Sequence, residues 1–345
     1  MNSSKNGKEK SPSPTAILSK RKKFVFTSIL MLLITSVMEI ALSTKYFQDH
    51  AAEPLAIIHY SKRLPGLHFP SEKSTDIGIF ESDPRYGYNH IADSKGTHQT
   101  QKFCVTYTIG ANRARITPQK TGEQKTVLFV GGSHTFGYGV DDHEAFPAIL
   151  GQDAWNQWSV ENRAVTGWGT SHALLTVRDA LESQSLPEAV IYVMIPHHFN
   201  RNYLRRSWVS GVAEYGFKHP HFELVEEVLE FQGLAGVAES LEDGLGVRRK
   251  EVALTEAMIT TMHNETKAKG VQFVLVLLPR QFLESQWPPQ FIDAIYRTGM
   301  NVLDLTELEP DFISENDRHP TKEMHRRIAK EIHAWFTPKL LNKSP

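Results

Sequence analysis

The chain has 345 residues, 40% of them hydrophobic and 22% charged, which is enough for one sizeable core plus additions. A formal net charge of −1 gives no basic excess to draw in nucleic acid and no acidic tail. The single cysteine, Cys104, excludes an intramolecular disulfide and reads as a buried, inert thiol.

Residues 1–23 form a polar, lysine-rich tail ending in Lys20-Arg21-Lys22-Lys23. Phe24 to Ser43, "FVFTSILMLLITSVMEIALS", is about the length that spans hydrocarbon as a helix. The basic cluster places the tail in the cytoplasm and all that follows Ser43 on the far side, in a bacterial periplasm. Ala41-Leu42-Ser43 also fits a small-residue cleavage site, so a secreted form cut near Ser43 is the rival expectation.

Residues 44–119 read as an irregular, β-containing, membrane-proximal segment in which "FCVTYTI", Phe103 to Ile109, alternates like a strand. Over residues 120–340 short apolar runs alternate with amphipathic stretches. The runs are "TVLFVG" from Thr126, "WSVENRAV" from Trp158, "AVIYVMI" from Ala189, "VQFVLVLLP" from Val271 and "NVLDL" from Asn301. This pattern predicts an α/β fold, a three-layer α/β/α sandwich around a parallel five-stranded sheet. "HFELVEEVLEFQG" reads as an inserted hairpin at about 215–235. Such sheets place ligands beyond the carboxyl ends of their strands.

The stretch "VLFVGGSHTFGYGV", Val127 to Val140, lies at one of those ends. Its glycine spacing suggests a phosphate loop, but Tyr138-Gly139 stand where Lys and Ser/Thr are needed, so nucleotide binding is excluded. A nucleophile is the other reading: Ser133 follows the strand, and a serine hydroxyl needs a base to take its proton. The surroundings are not G-x-S-x-G. The candidate base lies in "ENDRHPTKEMHRRIAKEIHAWF", where Asp317, two residues before His319, is placed to fix its tautomer and stabilise its imidazolium. Sequence spacing leaves this and a turn-and-cap role for the pair both open.

The combination of "VLFVGGSHTFGYGVDDHEAFPAIL", "VENRAVTGWGTSHALL" and "DRHPTKEMHRRIA" resembles the SGNH (GDSL-like) hydrolase family. The resemblance implies a flavodoxin-like SGNH fold with Ser133 as nucleophile, His319 as base and Asp317 as its orienter. It also implies an oxyanion hole from the N–H groups of Ser133 and Gly167. Gly132 stands where the family has Asp before the serine. In "AVIYVMIPHHFNRN" His197 occupies the position of the family's oxyanion Asn, and an imidazole N–H can replace that donor. His134, Trp168, His198, Asn200 and Arg201 are candidates for the substrate pocket.

The expected chemistry is that of an esterase or O-acyltransferase acting on ester-linked acyl groups of extracytoplasmic glycans, or on a small ester, without a cofactor. Lipid ester or thioester hydrolysis, and a degenerate domain that binds glycan or an envelope protein partner without catalysis, are the alternatives. His197, His198, His219 and His221 lack a coherent metal-ligand pattern. Asp142 reads as a helix N-cap with His143 and Glu144 in the first turn. Arg201, Arg205 and Arg206 read as a solvated basic face, or as a contact for an anionic glycan or headgroup.

Overall fold

The computed structural model describes residues 78–118, 125–155, 158–241, 249–279, 287–314 and 317–341, with Met31 and Ile34 besides. The chain divides into two compact units between Glu53 and Pro54. All described residues from 78 onward belong to the second unit. Among the described residues no helix is long and apolar enough to cross a membrane, and apart from Met31 and Ile34 the expected span over 24–43 lies outside them.

Two antiparallel hairpins come first: β1 (Phe80–Asp83) with β2 (Gly87–His90), and β3 (Lys95–Gln99) with β4 (Cys104–Thr108). Then follow β5 (Lys125–Gly131), α1 (Ser133–Phe136), α2 (Phe146–Ile149), β6 (Trp158–Asn162), α3 (Thr170–Glu182) and β7 (Ala189–Met194). The short helices α4 (His197–Asn202) and α5 (Arg206–Ala213) lead into the hairpin β8 (His219–Val225) and β9 (Val228–Ala235). The chain continues through α6 (Arg249–Ala268), β10 (Gln272–Leu277), α7 (Pro289–Arg297), β11 (Asn301–Asp304) and α8 (Lys322–Leu341).

Five strands pair in parallel in the order β11-β10-β7-β5-β6. Numbered along the chain this is the 2-1-3-4-5 order of flavodoxin-like sheets, whose strand order reverses beside the first strand. The central strand β7, "AVIYVM", is buried at every position, as a strand covered on both faces must be.

Side chains alternate between the two faces with the period of two that a strand imposes. Leu128, Val130, Val190, Tyr192 and Leu275 join Leu174, Val177, Met258, Ile259, Phe291 and Ile295 of α3, α6 and α7 in one core. Val127, Phe129, Ile191, Val193 and Val276 join Phe146, Trp155, Met324, Ile328, Ile332 and Phe336 from α2, its following turn and α8 in the other. Each large apolar side chain removed from water in these layers contributes about 1.5–3 kcal/mol, so the two cores hold the sandwich closed.

Residues 78–118 pack directly on the loop that follows β5. Ile79, Val105, Tyr107 and Ile109 form a third core with Phe136, Tyr138 and Ala164. Cys104 departs from expectation: it is exposed, because in β4 it alternates with the inward-facing Val105 and Tyr107. Asp142 also departs. The 3₁₀ turn Asp142–Glu144 is capped by Asp141, whose N–H donates to the Glu144 carboxylate at 3.1 Å. The Asp142 carboxylate instead accepts from Arg115 Nε at 2.9 Å and from the Thr108 N–H at 3.1 Å.

Candidate active site

β5 ends at Gly131, and Ser133 opens α1 directly above the point where the strand order reverses. A first-turn N–H has no acceptor within its own helix, so the Ser133 amide is available to a ligand. After one turn the chain reverses at Gly137, whose φ of 91° is left-handed. A Cβ there would stand 2.6 Å from Ala145 Cβ and 2.7 Å from Arg115 Nη1.

Sequence reasoning gave Arg115 no role, yet its fully buried guanidinium holds this turn. Nη1 donates to the carbonyls of Phe136 (2.8 Å) and Gly137 (2.6 Å), Nη2 to that of Val140 (2.7 Å), and Nε to Asp142. Asn162, at the end of β6, adds a bond from Nδ2 to the Thr135 carbonyl at 3.0 Å. The planar fork of Arg satisfies several diverging carbonyls at once, which a lysine does not. "ANRARITP" shows the arginines, but nothing local in it says which one folds inward.

His319 reaches Ser133 from the loop before α8. That loop is tied back on itself by Ile313 N–H to the His319 carbonyl (2.9 Å) and Thr321 N–H to the Asp311 carbonyl (3.0 Å). His319 Nδ1 lies 2.7 Å from Asp317 Oδ1, and Nε2 lies 2.8 Å from Ser133 Oγ. A carboxylate only accepts, so Nδ1 carries the proton, Nε2 presents its lone pair, and the Ser133 hydroxyl donates to it. Ser133 and His319 are 1% and 2% exposed, so the pair is shielded from water that would compete for these bonds.

The other predicted residues divide. Gly167 lies in a buried turn with φ of 88°, closed by Trp168 N–H to the Val165 carbonyl at 3.1 Å. The Trp168 carbonyl that follows stands against Gly132, so this turn abuts the Ser133 loop. His197 begins α4 just beyond the end of β7. Burial first, then Arg201 and His319, lower its pKa to about 3, so it is a neutral imidazole. The His134 ring lies 5.2 Å from that of His319 and is also held neutral, chiefly by burial. Asn200, half-buried in α4, accepts the Arg205 N–H on its carbonyl.

Trp168, His198 and Arg201 are not displayed to a substrate. Trp168 is 2% exposed because it is stacked between Tyr86 and His172, each at 4.8 Å. Arg201 is buried because Nη1 donates to the Trp168 carbonyl at 2.6 Å and its guanidinium lies 4.4 Å from the Trp208 ring. His198 is turned inward by a chain from Asn202 Nδ2 through Thr170 Oγ1 (2.8 Å) and the Tyr192 hydroxyl (2.7 Å) to His198 Nδ1 (2.7 Å). Arg205 makes a buried bidentate pair with Glu251 in α6, so the expected basic face loses two of its three members to the interior.

These inward groups explain Gly132. A Cβ there would meet the Trp168 carbonyl at 2.8 Å, Arg201 Nη1 at 3.0 Å and His198 Nε2 at 3.1 Å. Backbone cannot yield as a side-chain tip can. Gly132→Ala is therefore expected to cost about 1–3 kcal/mol by overpacking and to displace Ser133. Thermal unfolding together with ester hydrolysis checks this, and an unchanged midpoint with unchanged rate contradicts it.

No protein-family model matches the sequence, and a search of curated proteins finds no match. Among solved structures the chain is similar to a psychrotrophic esterase, EstA, from Pseudoalteromonas sp., at 15% identity over 64% of this chain and 100% of that one, with a TM-score of 0.40. It is similar to a member of the lipolytic protein G-D-S-L family from Veillonella parvula, at 12% identity over 62% and 98%, TM-score 0.41. It is likewise similar to a GDSL-like lipase from Bacteroides thetaiotaomicron, at 13% identity over 66% and 93%, TM-score 0.38.

Proposed function

We propose that this chain is a serine-dependent acyl hydrolase or acyltransferase of SGNH type. The observation that carries the reading is the continuous hydrogen-bonded chain Ser133–His319–Asp317 at the carboxyl ends of β5 and its neighbours. Three residue types from two distant parts of the sequence meet in the one tautomeric arrangement that activates a hydroxyl.

His319 Nε2 takes the Ser133 proton as Oγ attacks the ester carbonyl. The oxyanion is held by the N–H groups of Ser133 and Gly167 and by an N–H of His197. The imidazolium then returns the proton to the leaving alcohol, leaving an acyl group on Ser133. Water resolves this ester in a hydrolase, and a sugar hydroxyl resolves it in an O-acyltransferase. The substrate class we favour is an ester-linked acyl group, acetyl above all, on an extracytoplasmic glycan. The resemblance supports this reading, as does the apolar segment 24–43 behind a basic cluster, a pattern that favours a single-pass protein with its domain outside the cytoplasm.

A fluorophosphonate probe and short-chain aryl esters test the chemistry: labelling and hydrolysis are expected of the folded protein, and their absence removes the enzyme reading. The role of His197 has its own test. Loss of an oxyanion donor costs about two to three orders of magnitude in kcat. His197→Ala is expected to show that loss at nearly constant KM, and His197→Asn to recover most of it. A His197→Ala enzyme within twofold of the parent places the third donor elsewhere.

A further inference from the structure

Tyr138 lies just beyond the turn that closes α1, with its N–H donating to the Ser133 carbonyl at 3.0 Å. Its ring packs on the imidazole of His319, with centroids 4.0 Å apart and planes 31° from parallel. The ring is held from outside by the hairpin β3–β4. Phe103 and His98 meet it edge-on at 5.6 Å and 5.1 Å, and the Tyr107 hydroxyl accepts the N–H of the adjacent Gly139 at 2.9 Å. At 2% exposure no water screens the contact. Burial first, then Asp317 and Tyr107, push the Tyr138 phenol well above its usual range, so the ring stays neutral.

An aromatic face carries negative quadrupole density and attracts a cation placed over it. We propose that Tyr138 is an electrostatic positioning residue that stabilises the imidazolium form of His319 through its ring face. The proposal rests on the serine-hydrolase reading. In acylation the Ser133 O–H bond breaks and the proton passes to His319 Nε2. At the same time Oγ bonds to the carbonyl carbon and the carbonyl π pair moves to oxygen. The imidazole is neutral before this step and cationic in its transition state. Attraction to Tyr138 therefore grows as the barrier is climbed, and only such differential stabilisation raises the rate. Asp317 supports the cation in the ring plane and Tyr138 supports it from the face.

The test replaces Tyr138 in the full-length protein by phenylalanine and by phenylalanines with one, three and five ring fluorines, which keep the shape and progressively empty the π face. The rate of Ser133 phosphonylation by a fluorophosphonate probe, in which Oγ displaces fluoride from phosphorus and His319 takes the same proton, is read for each, with thermal unfolding followed in parallel. A stepwise decline is expected, reaching about tenfold to thirtyfold between the unfluorinated and pentafluorinated rings. Tyr138→Leu, which fills the space without a π face, repeats the comparison where a fluorinated ring fails to fold, and the same loss is expected. Phosphonylation that is indifferent to fluorination while Ser133 is still labelled overturns the proposal and leaves a packing wedge. A wild type that is not labelled at all overturns the serine-hydrolase reading and this proposal with it.

Discussion

Ser133→Ala is expected to lower kcat for a short-chain aryl ester by about six orders of magnitude, the scale on which losing the nucleophile of a hydrogen-bonded triad operates. The reason is geometric. Ser133 Oγ lies 2.8 Å from the lone pair that is to receive its proton, and among the described residues no other hydroxyl bonds to His319 Nε2. Asp317→Asn is expected to cost about four orders of magnitude even though the side chain is nearly isosteric. An amide whose NH₂ faces Nδ1 donates where the carboxylate accepts, so the proton moves to Nε2 and the lone pair turns away from Ser133. Steady-state kinetics check both. An Asp317→Asn enzyme within tenfold of the parent contradicts the tautomer argument.

Acid is expected to unfold this domain well above the pH at which its carboxylates titrate. Burial first lowers the pKa values of His90, His197, His219 and His325 to about 3 each. In the unfolded chain an imidazole titrates near 6.5, so between these values the unfolded state binds protons that the folded state refuses. The stability contributed by keeping these rings neutral is complete above pH 6.5 and drains away as pH falls. At pH 5.5 each ring costs about 1.4 kcal/mol, and four together approach the whole stability of an ordinary domain, about 5–15 kcal/mol. Urea unfolding between pH 7.5 and 5 reads this as a steep fall in midpoint with net proton uptake. A midpoint flat across that range contradicts it. His325→Gln is expected to flatten the slope by about one proton.

The sheet was legible because parallel strands covered on both faces must be apolar runs, and the five runs became β5, β6, β7, β10 and β11. Ser133 and the Asp317-x-His319 pair were legible as candidates, since a nucleophile needs a base and the base an orienter, but spacing alone left a turn-and-cap role open and the resemblance to SGNH hydrolases favoured the triad. Direction was not legible. His197 and His198 are neighbours in sequence, but α4 turns successive side chains by about 100°, and it is His198 that bonds Tyr192 beneath the site. Arg115 drew no reading, and Arg201 and Arg205 read as a basic face, because their partners, three backbone carbonyls with Asp142, the Trp168 carbonyl, and Glu251, come from remote segments. Gly132 looked like a missing carboxylate and proved to be a position without room for a Cβ. Tyr138 was noticed only as a residue that was not lysine, although its ring covers His319.

The segment before β5 likewise gained a role that its composition did not suggest. Val105 and Tyr107 pack on Phe136 and Tyr138, and Arg115 caps the turn after Ser133, so the hairpins shape the Ser133 loop from behind. The geometry of the triad therefore depends on residues 78–118 as well as on the strands that display it.

The central claim is that Ser133 is the acylated residue. Peptide mapping by mass spectrometry of the folded full-length protein after reaction with a fluorophosphonate tests it most directly. A single phosphonyl adduct on Ser133, formed far more slowly in His319→Ala, is the predicted result. Folded protein with no adduct, or with its adduct on any other residue, would contradict it.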